Sequence, residues 1–220
     1  MKENILEIYN VCKQYNDETI LDNINLSVGK GEIIGIIGKN GCGKSTLLKC
    51  IAGLSYPNSG NIAINGKSYK KGCLGEVNPN IGILIESPKF LPDFSGLNNL
   101  LMLAQIKNII DKKTIIDLMT LFQLDPNNKK KFCKYSLGMK QKLGIIQAIM
   151  ENPQLILFDE PTNALDEAAT KIFLKKVKEM SQNDTSFIIV SHLKDDLENL
   201  CNKFYKLDNH HLNEYKKGNE

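Results

Sequence analysis

The chain contains no arginine; all 28 of its basic residues are lysine. Neither this sequence nor an identical copy of it can therefore supply an arginine finger to a phosphoryl-transfer transition state. The shortage accompanies abundant lysine, asparagine and isoleucine, the pattern that an AT-rich genome leaves. Long apolar runs are missing too. The longest, "IIGII" (33–37) and "LILF" (155–158), have the length of buried strands and fall far short of the roughly 20 residues that cross a bilayer. The start, "MKENILEIYN", lacks the charged-then-apolar pattern of a signal peptide. A cytosolic chain is expected, with any membrane role supplied by a partner. A net charge of +3 is too weak to point to nucleic acid, and the basic run "NNKKKF" (127–132) reads as a solvated turn. Six cysteines (Cys12, Cys42, Cys50, Cys73, Cys133 and Cys201) are scattered, with no C-x-x-C pair and no histidine at ligand spacing. They read as reduced thiols, not as a zinc site or a disulfide framework.

What is present is an ordinary globular composition, 42% hydrophobic over 220 residues, enough for one domain or one domain with a sub-lobe. Strand-like runs come first: "ILEIYNV", "INLSV" and "EIIGIIG", with a polar turn at "YNDET". Helical spacing begins at Lys44 and closes at Gly53. Strands are expected in "GNIAING" and "NIGILIE", helix over Leu97–Gln123, and a second helix over Leu137–Met150. The strand "QLILFDE" then leads to a helix near Glu167–Met180, the strand "SFIIVS" and a polar helix over Leu193–Leu200. His210 and His211 read as surface residues of a C-terminal turn. Strands that feed helices and return to strands imply a parallel sheet.

The chemistry is concentrated in "GKNGCGKST", that is Gly38, Lys39, Asn40, Gly41, Cys42, Gly43, Lys44, Ser45 and Thr46. It fits G-x-x-x-x-G-K-[ST] between a strand and a helix, the context that marks a phosphate-binding loop. Glycines let the backbone amides turn inward, and the following helix adds its positive N-terminal end. Lys44 is placed to reach the β- and γ-phosphates, and Ser45 to offer its hydroxyl to Mg²⁺. In "LILFDE" Asp159 emerges at the carboxyl end of a buried strand, where it can orient Mg²⁺. Glu160 follows as a general base for an attacking water.

Between and after these motifs lies a family pattern. "YSLGMKQKLG" (135–144) resembles the signature motif of ATP-binding cassette (ABC) ATPases, "NALD" (163–166) resembles their D-loop, and "VSH" puts His192 at the switch-histidine position. Tyr15 in "VCKQYNDETI" matches the aromatic residue that stacks on adenine. The resemblance covers essentially the whole chain. It implies a RecA-like P-loop NTPase α/β core, an antiparallel β subdomain on the N-terminal side, and an inserted α-helical subdomain over roughly 87–144. It also implies bound ATP and Mg²⁺, with Ser136 and Gly138 of the signature completing the site of a second copy in a head-to-tail homodimer, or of a paired subunit. His192 would hold the γ-phosphate and water in line.

Two positions depart from the pattern. Leu137 replaces a small residue after the signature serine, and Glu86 in "IGILIESPKF" stands where most of the family has a glutamine that touches Mg²⁺. Two readings of Glu86 stand: a carboxylate beside the metal that responds to pH, or a harmless substitution. With "LPDFSGLNNL" following, these features are similar to the exporter ATPases of bacitracin resistance and lantibiotic self-immunity. The expected function is an ATPase subunit driving a separate multi-span membrane permease, peripheral on the inner face of the membrane. The alternative is a soluble, non-transport ABC ATPase.

Overall fold

The computed structural model describes residues 3–68, 81–191 and 197–215. The chain opens with two long strands, β1 (Asn4–Tyr15) and β2 (Glu18–Gly29), joined by a tight turn in which Asn16 and Asp17 both take positive φ. Then come β3 (Ile33–Ile37), α1 (Lys44–Ile51), β4 (Ser59–Ile64) and the short β5 (Lys67–Ser68). After β6 (Ile81–Leu84) lie three helices, α2 (Gly96–Lys107), α3 (Lys112–Leu121) and α4 (Leu137–Ile149). The chain continues through β7 (Leu155–Asp159), α5 (Glu167–Gln182), β8 (Ser186–Val190), β9 (Lys203–Asp208) and β10 (His211–Tyr215).

Two sheets result. An antiparallel sheet runs β2-β1-β4-β5, and a second runs β10-β9-β3-β8-β7-β6. In the second sheet every pairing is parallel except the edge hairpin of β9 and β10. Its central strands are apolar on both faces because both are covered. Alternate residues of β7 and β8 divide accordingly. Leu155, Leu157, Ile188 and Val190 pack toward α1 and the antiparallel sheet, while Ile156, Phe158, Phe187 and Ile189 pack toward α2–α5. Phe158 meets Phe173 edge-on at 5.2 Å and is fully buried, so cutting it to alanine would cost about 3–5 kcal/mol.

The helical segment is one continuous expectation that the structure divides. Asn108 adopts the left-handed conformation that ends α2, and Asp111 restarts the helix by accepting the Thr114 amide at 2.8 Å. Helices α2 and α3 and the start of α4 lie between residues 87 and 144; α4 runs on to Ile149 against β6, close to its expected end, and the helices share one apolar cluster with the sheet. The C-terminal hairpin corrects a second expectation, since His211 opens β10 and only His210 belongs to the turn. Residues 192–196, including the start of the expected polar helix at Leu193, lie outside the described residues; the described remainder, 197–200, is turn.

Candidate functional site

The loop between β3 and α1 starts at the carboxyl edge of the parallel sheet. Gly43 is the residue before α1, with φ 107°, and it offers no side-chain cap. The first amides of α1 are therefore left open to an external anion, with no acidic residue in the first turn to repel one. At the other end α1 closes in a Schellman arrangement: the Leu54 amide donates to Lys49 O at 2.9 Å and the Gly53 amide to Cys50 O at 3.2 Å, with Gly53 at φ 74°. Lys44 is only 7% exposed as a residue, and its ammonium donates to Gly38 O at 2.8 Å and to Lys39 O at 2.9 Å. Two loop carbonyls thus hold the cation at the helix entrance.

β7 delivers Asp159 and Glu160 beside this loop. Glu160 has φ 48°, and its amide donates to Val190 O at 2.9 Å, so the chain bends away from the sheet just past the strand. A cavity of about 600 Å³ lies between the two features. It brings together Asn40, Gly41, Gly43, Lys44, Ser45, Thr46, Glu86, Asp159 and Glu160, nine of the residues singled out above. Gly38, Lys39 and Cys42 are not on its wall; the Cys42 side chain packs against the apolar cluster, and its amide donates to Lys39 O at 3.3 Å.

Tyr15, Ser136 and Gly138 also lie off the cavity wall. The Tyr15 ring is about half exposed, with the Lys13 ammonium 4.6 Å from its centre and its hydroxyl 3.2 Å from Ser55 Oγ. Ser136 caps α4 by accepting the Met139 amide at 3.2 Å. Gly138 packs under the backbone of Ala164, where a Cβ would lie 2.8 Å from the carbonyl oxygen. His192 is outside the described residues.

Three further wall residues, Ile20, Ser87 and Gln141, were not singled out in the sequence. Gln141 alone had a legible cue, since it lies within the stretch 135–144 that resembles the signature motif. Its amide nitrogen donates to Glu160 O at 3.2 Å and to Pro161 O at 3.1 Å. Leu137, 64% exposed, and Asn163 and Ala164 of the expected D-loop complete the wall. The loop end is secured by Asp166, which accepts the Ala169 amide at 2.7 Å to start α5 and stands 3.6 Å from the Lys142 ammonium.

Glu86 sits just beyond β6 with φ 62°, and the Lys49 ammonium meets its carboxylate at 2.5 Å. Hydrogen bonding and charge from Lys49 hold the Glu86 carboxyl below the ordinary glutamate range, and the same contact raises Lys49. The three expected metal-facing residues, Ser45, Glu86 and Asp159, share the cavity and offer only oxygen donors, which suits Mg²⁺. Among the described residues no group of three or more His, Cys, Asp or Glu side chains is arranged to hold a metal by itself. The set fits an ion that takes the rest of its ligands from phosphate and water.

Known proteins resemble this chain in sequence and in fold. The family model for ABC transporters matches residues 21–163. An uncharacterized ABC transporter ATP-binding protein, YybJ of Bacillus subtilis (strain 168), is 38% identical over 90% of this chain and 89% of its own length. The bacitracin transport ATP-binding protein BcrA of Enterococcus faecalis is 35% identical over 96% of this chain, which spans 68% of that relative. Among solved structures, an ATP binding subunit of an ABC transporter superposes with a TM-score of 0.87 at 27% identity, covering 94% of this chain and 88% of that one.

Proposed function

The chain belongs to the ABC transporter family, and we propose that it is the ATP-hydrolysing subunit of a bacterial exporter, acting on a separate multi-span permease. The observation that carries the reading is the single cavity in which an uncapped helix N-terminus, Lys44, Ser45, Asp159 and Glu160 converge. A triphosphate entering it exchanges the Gly38 and Lys39 carbonyls for phosphate oxygens at the Lys44 ammonium, and takes the open amides of α1. Mg²⁺, bound through Ser45, Asp159 and Glu86, would neutralise phosphate charge. Glu160 is the base for the attacking water, held in place through its backbone by Gln141 and Val190.

Ser136 and Gly138 have no part in this chain's own cavity, which supports their use by a second copy or a paired subunit across a dimer interface. Because the chain holds no arginine, transition-state charge falls to lysine, metal and backbone donors. No helix among the described residues is long and apolar enough to cross a membrane, so the transport path is assigned to the permease, with this subunit peripheral on the cytoplasmic face. The bacitracin transport relative favours an antimicrobial peptide or amphiphilic drug as cargo.

The test is expression of the chain together with a multi-span permease, sought among the neighbouring reading frames, in a bacitracin-sensitive host. Protection by the wild-type pair, lost on Lys44→Ala, supports the reading. Equal survival with the Lys44→Ala pair rejects it.

A further inference from the structure

Two cavities meet at two adjacent residues. Glu86 and Ser87 line the nucleotide cavity and also a second one of about 260 Å³, whose walls include Lys49, Leu54, Lys89 and Gln147. Lys49 borders the second cavity alone. It lies in the last turn of α1, the helix whose first turn gives Lys44, Ser45 and Thr46 to the nucleotide cavity. The ammonium of Lys49 donates to Glu86 Oε1 at 2.5 Å. The ion pair therefore draws the carboxylate toward the second cavity, although the residue itself forms part of the wall between the two.

We infer that Lys49 is a positioning residue for the metal-bound nucleotide, competing with the metal for the single carboxylate of Glu86. The inference rests on the ATP-binding reading above. A carboxylate that turns toward Ser45 and Asp159 draws its negative charge away from its ammonium partner, so loading the cavity sets one counter-cation against another. A neutral amide at position 86 would be drawn far less strongly by either cation, and the competition would vanish with the charge. The side chains of Lys49 and Glu86 are 36% and 54% exposed, which makes their pair easy to break. The arrangement also joins the two ends of α1, because the helix that presents the phosphate site at its N-terminus restrains the neighbouring carboxylate from its C-terminus.

The experiment measures the dissociation constant of a fluorescent ATP analogue with Mg²⁺ and with EDTA, and takes the ratio. Lys49→Met, which keeps the stem and removes the charge, is expected to enlarge the benefit from Mg²⁺ by about two- to fivefold, the worth of a half-exposed ion pair. Lys49→Arg, which retains a cation, is expected to keep the wild-type ratio. In a Glu86→Gln background Lys49→Met is expected to change the ratio less than it does in wild type, since only the weaker charge interaction of Lys49 with Asp159 remains. An unchanged ratio in Lys49→Met, or an equal change in the Glu86→Gln background, overturns the inference while leaving ATP binding in place. Wild-type protein that fails to bind the analogue overturns the inference together with the reading on which it rests.

Discussion

One side-chain amide, that of Gln141, holds two successive backbone carbonyls, Glu160 O at 3.2 Å and Pro161 O at 3.1 Å. It ties the helix of the signature motif to the turn that presents the expected base. Replacing it with leucine leaves two acceptors, one partly buried and one buried, without that donor, at about 1–3 kcal/mol. Because Gln141 touches the backbone of Glu160 and not the phosphate loop, the loss should fall on kcat. A drop of about tenfold in kcat, corresponding to about 1.4 kcal/mol, is expected, with ATP affinity changed less than about twofold. Steady-state kinetics beside equilibrium nucleotide binding will separate the two. Equal losses in both would show that Gln141 supports the cavity as a whole.

Gly38 fixes the other side of the site against the C-terminal hairpin. A Cβ built there would lie 2.5 Å from Leu207 O in β9 and 2.8 Å from Cys42 Sγ. Gly38→Ala must therefore push the phosphate loop off β9, with an overpacking cost of about 1–3 kcal/mol. The expected outcome is a lower melting temperature together with weakened ATP binding, read by thermal unfolding with and without nucleotide. A variant that melts and binds like wild type would mean the loop is not seated on Leu207.

That contact also marks where the sequence stops being informative. The phosphate loop, β3 and β7 were legible because a continuous apolar run followed by a motif has few other physical solutions. β9 and β10 were not. Their turn uses Asn209 and His210, both with positive φ, in place of the Asn-Gly or Asp-Gly pair that announces a hairpin, and β10 alternates among half-buried and exposed residues with none fully buried. The break between α2 and α3 was hidden for a similar reason. Asn108 ends the helix without a glycine, while Ile109 and Ile110 continue the apolar pattern across the gap. Glu86 was visible as an odd residue at a known position, but its partner Lys49 lies 37 residues away and only the fold introduces them.

Acid should loosen the join between the signature helix and α5. The hydrogen bond from the Ala169 amide holds the Asp166 carboxyl below the ordinary aspartate range; desolvation opposes it, and the Lys142 charge adds a lesser lowering. A depressed carboxyl contributes stability that is fully present above its unfolded value, near 3.9, and is lost as pH falls through the folded one. Asp166→Asn keeps an oxygen to cap α5 but cannot titrate. The variant should melt close to wild type at pH 7 and lose less stability than wild type between about pH 4 and pH 2. Parallel melting-temperature profiles across that range would show that Asp166 contributes nothing beyond its cap.

Glu160 offers the sharpest separation of binding from turnover. It lines the cavity with Lys44 and Ser45, yet its own backbone is fixed from behind by Val190 and Gln141. Glu160→Gln removes a base while keeping shape, so hydrolysis should fall by about 10²–10⁴-fold, the usual contribution of general-base catalysis. ATP affinity should persist, since the phosphate ligands are untouched. If Ser136 and Gly138 act on the nucleotide of a second copy, unhydrolysed ATP then holds two copies together, and size-exclusion chromatography with ATP and Mg²⁺ should show a dimer that ADP dissolves. A Glu160→Gln protein that binds ATP and stays monomeric, even when mixed with its permease in detergent, would remove the signature motif from the site.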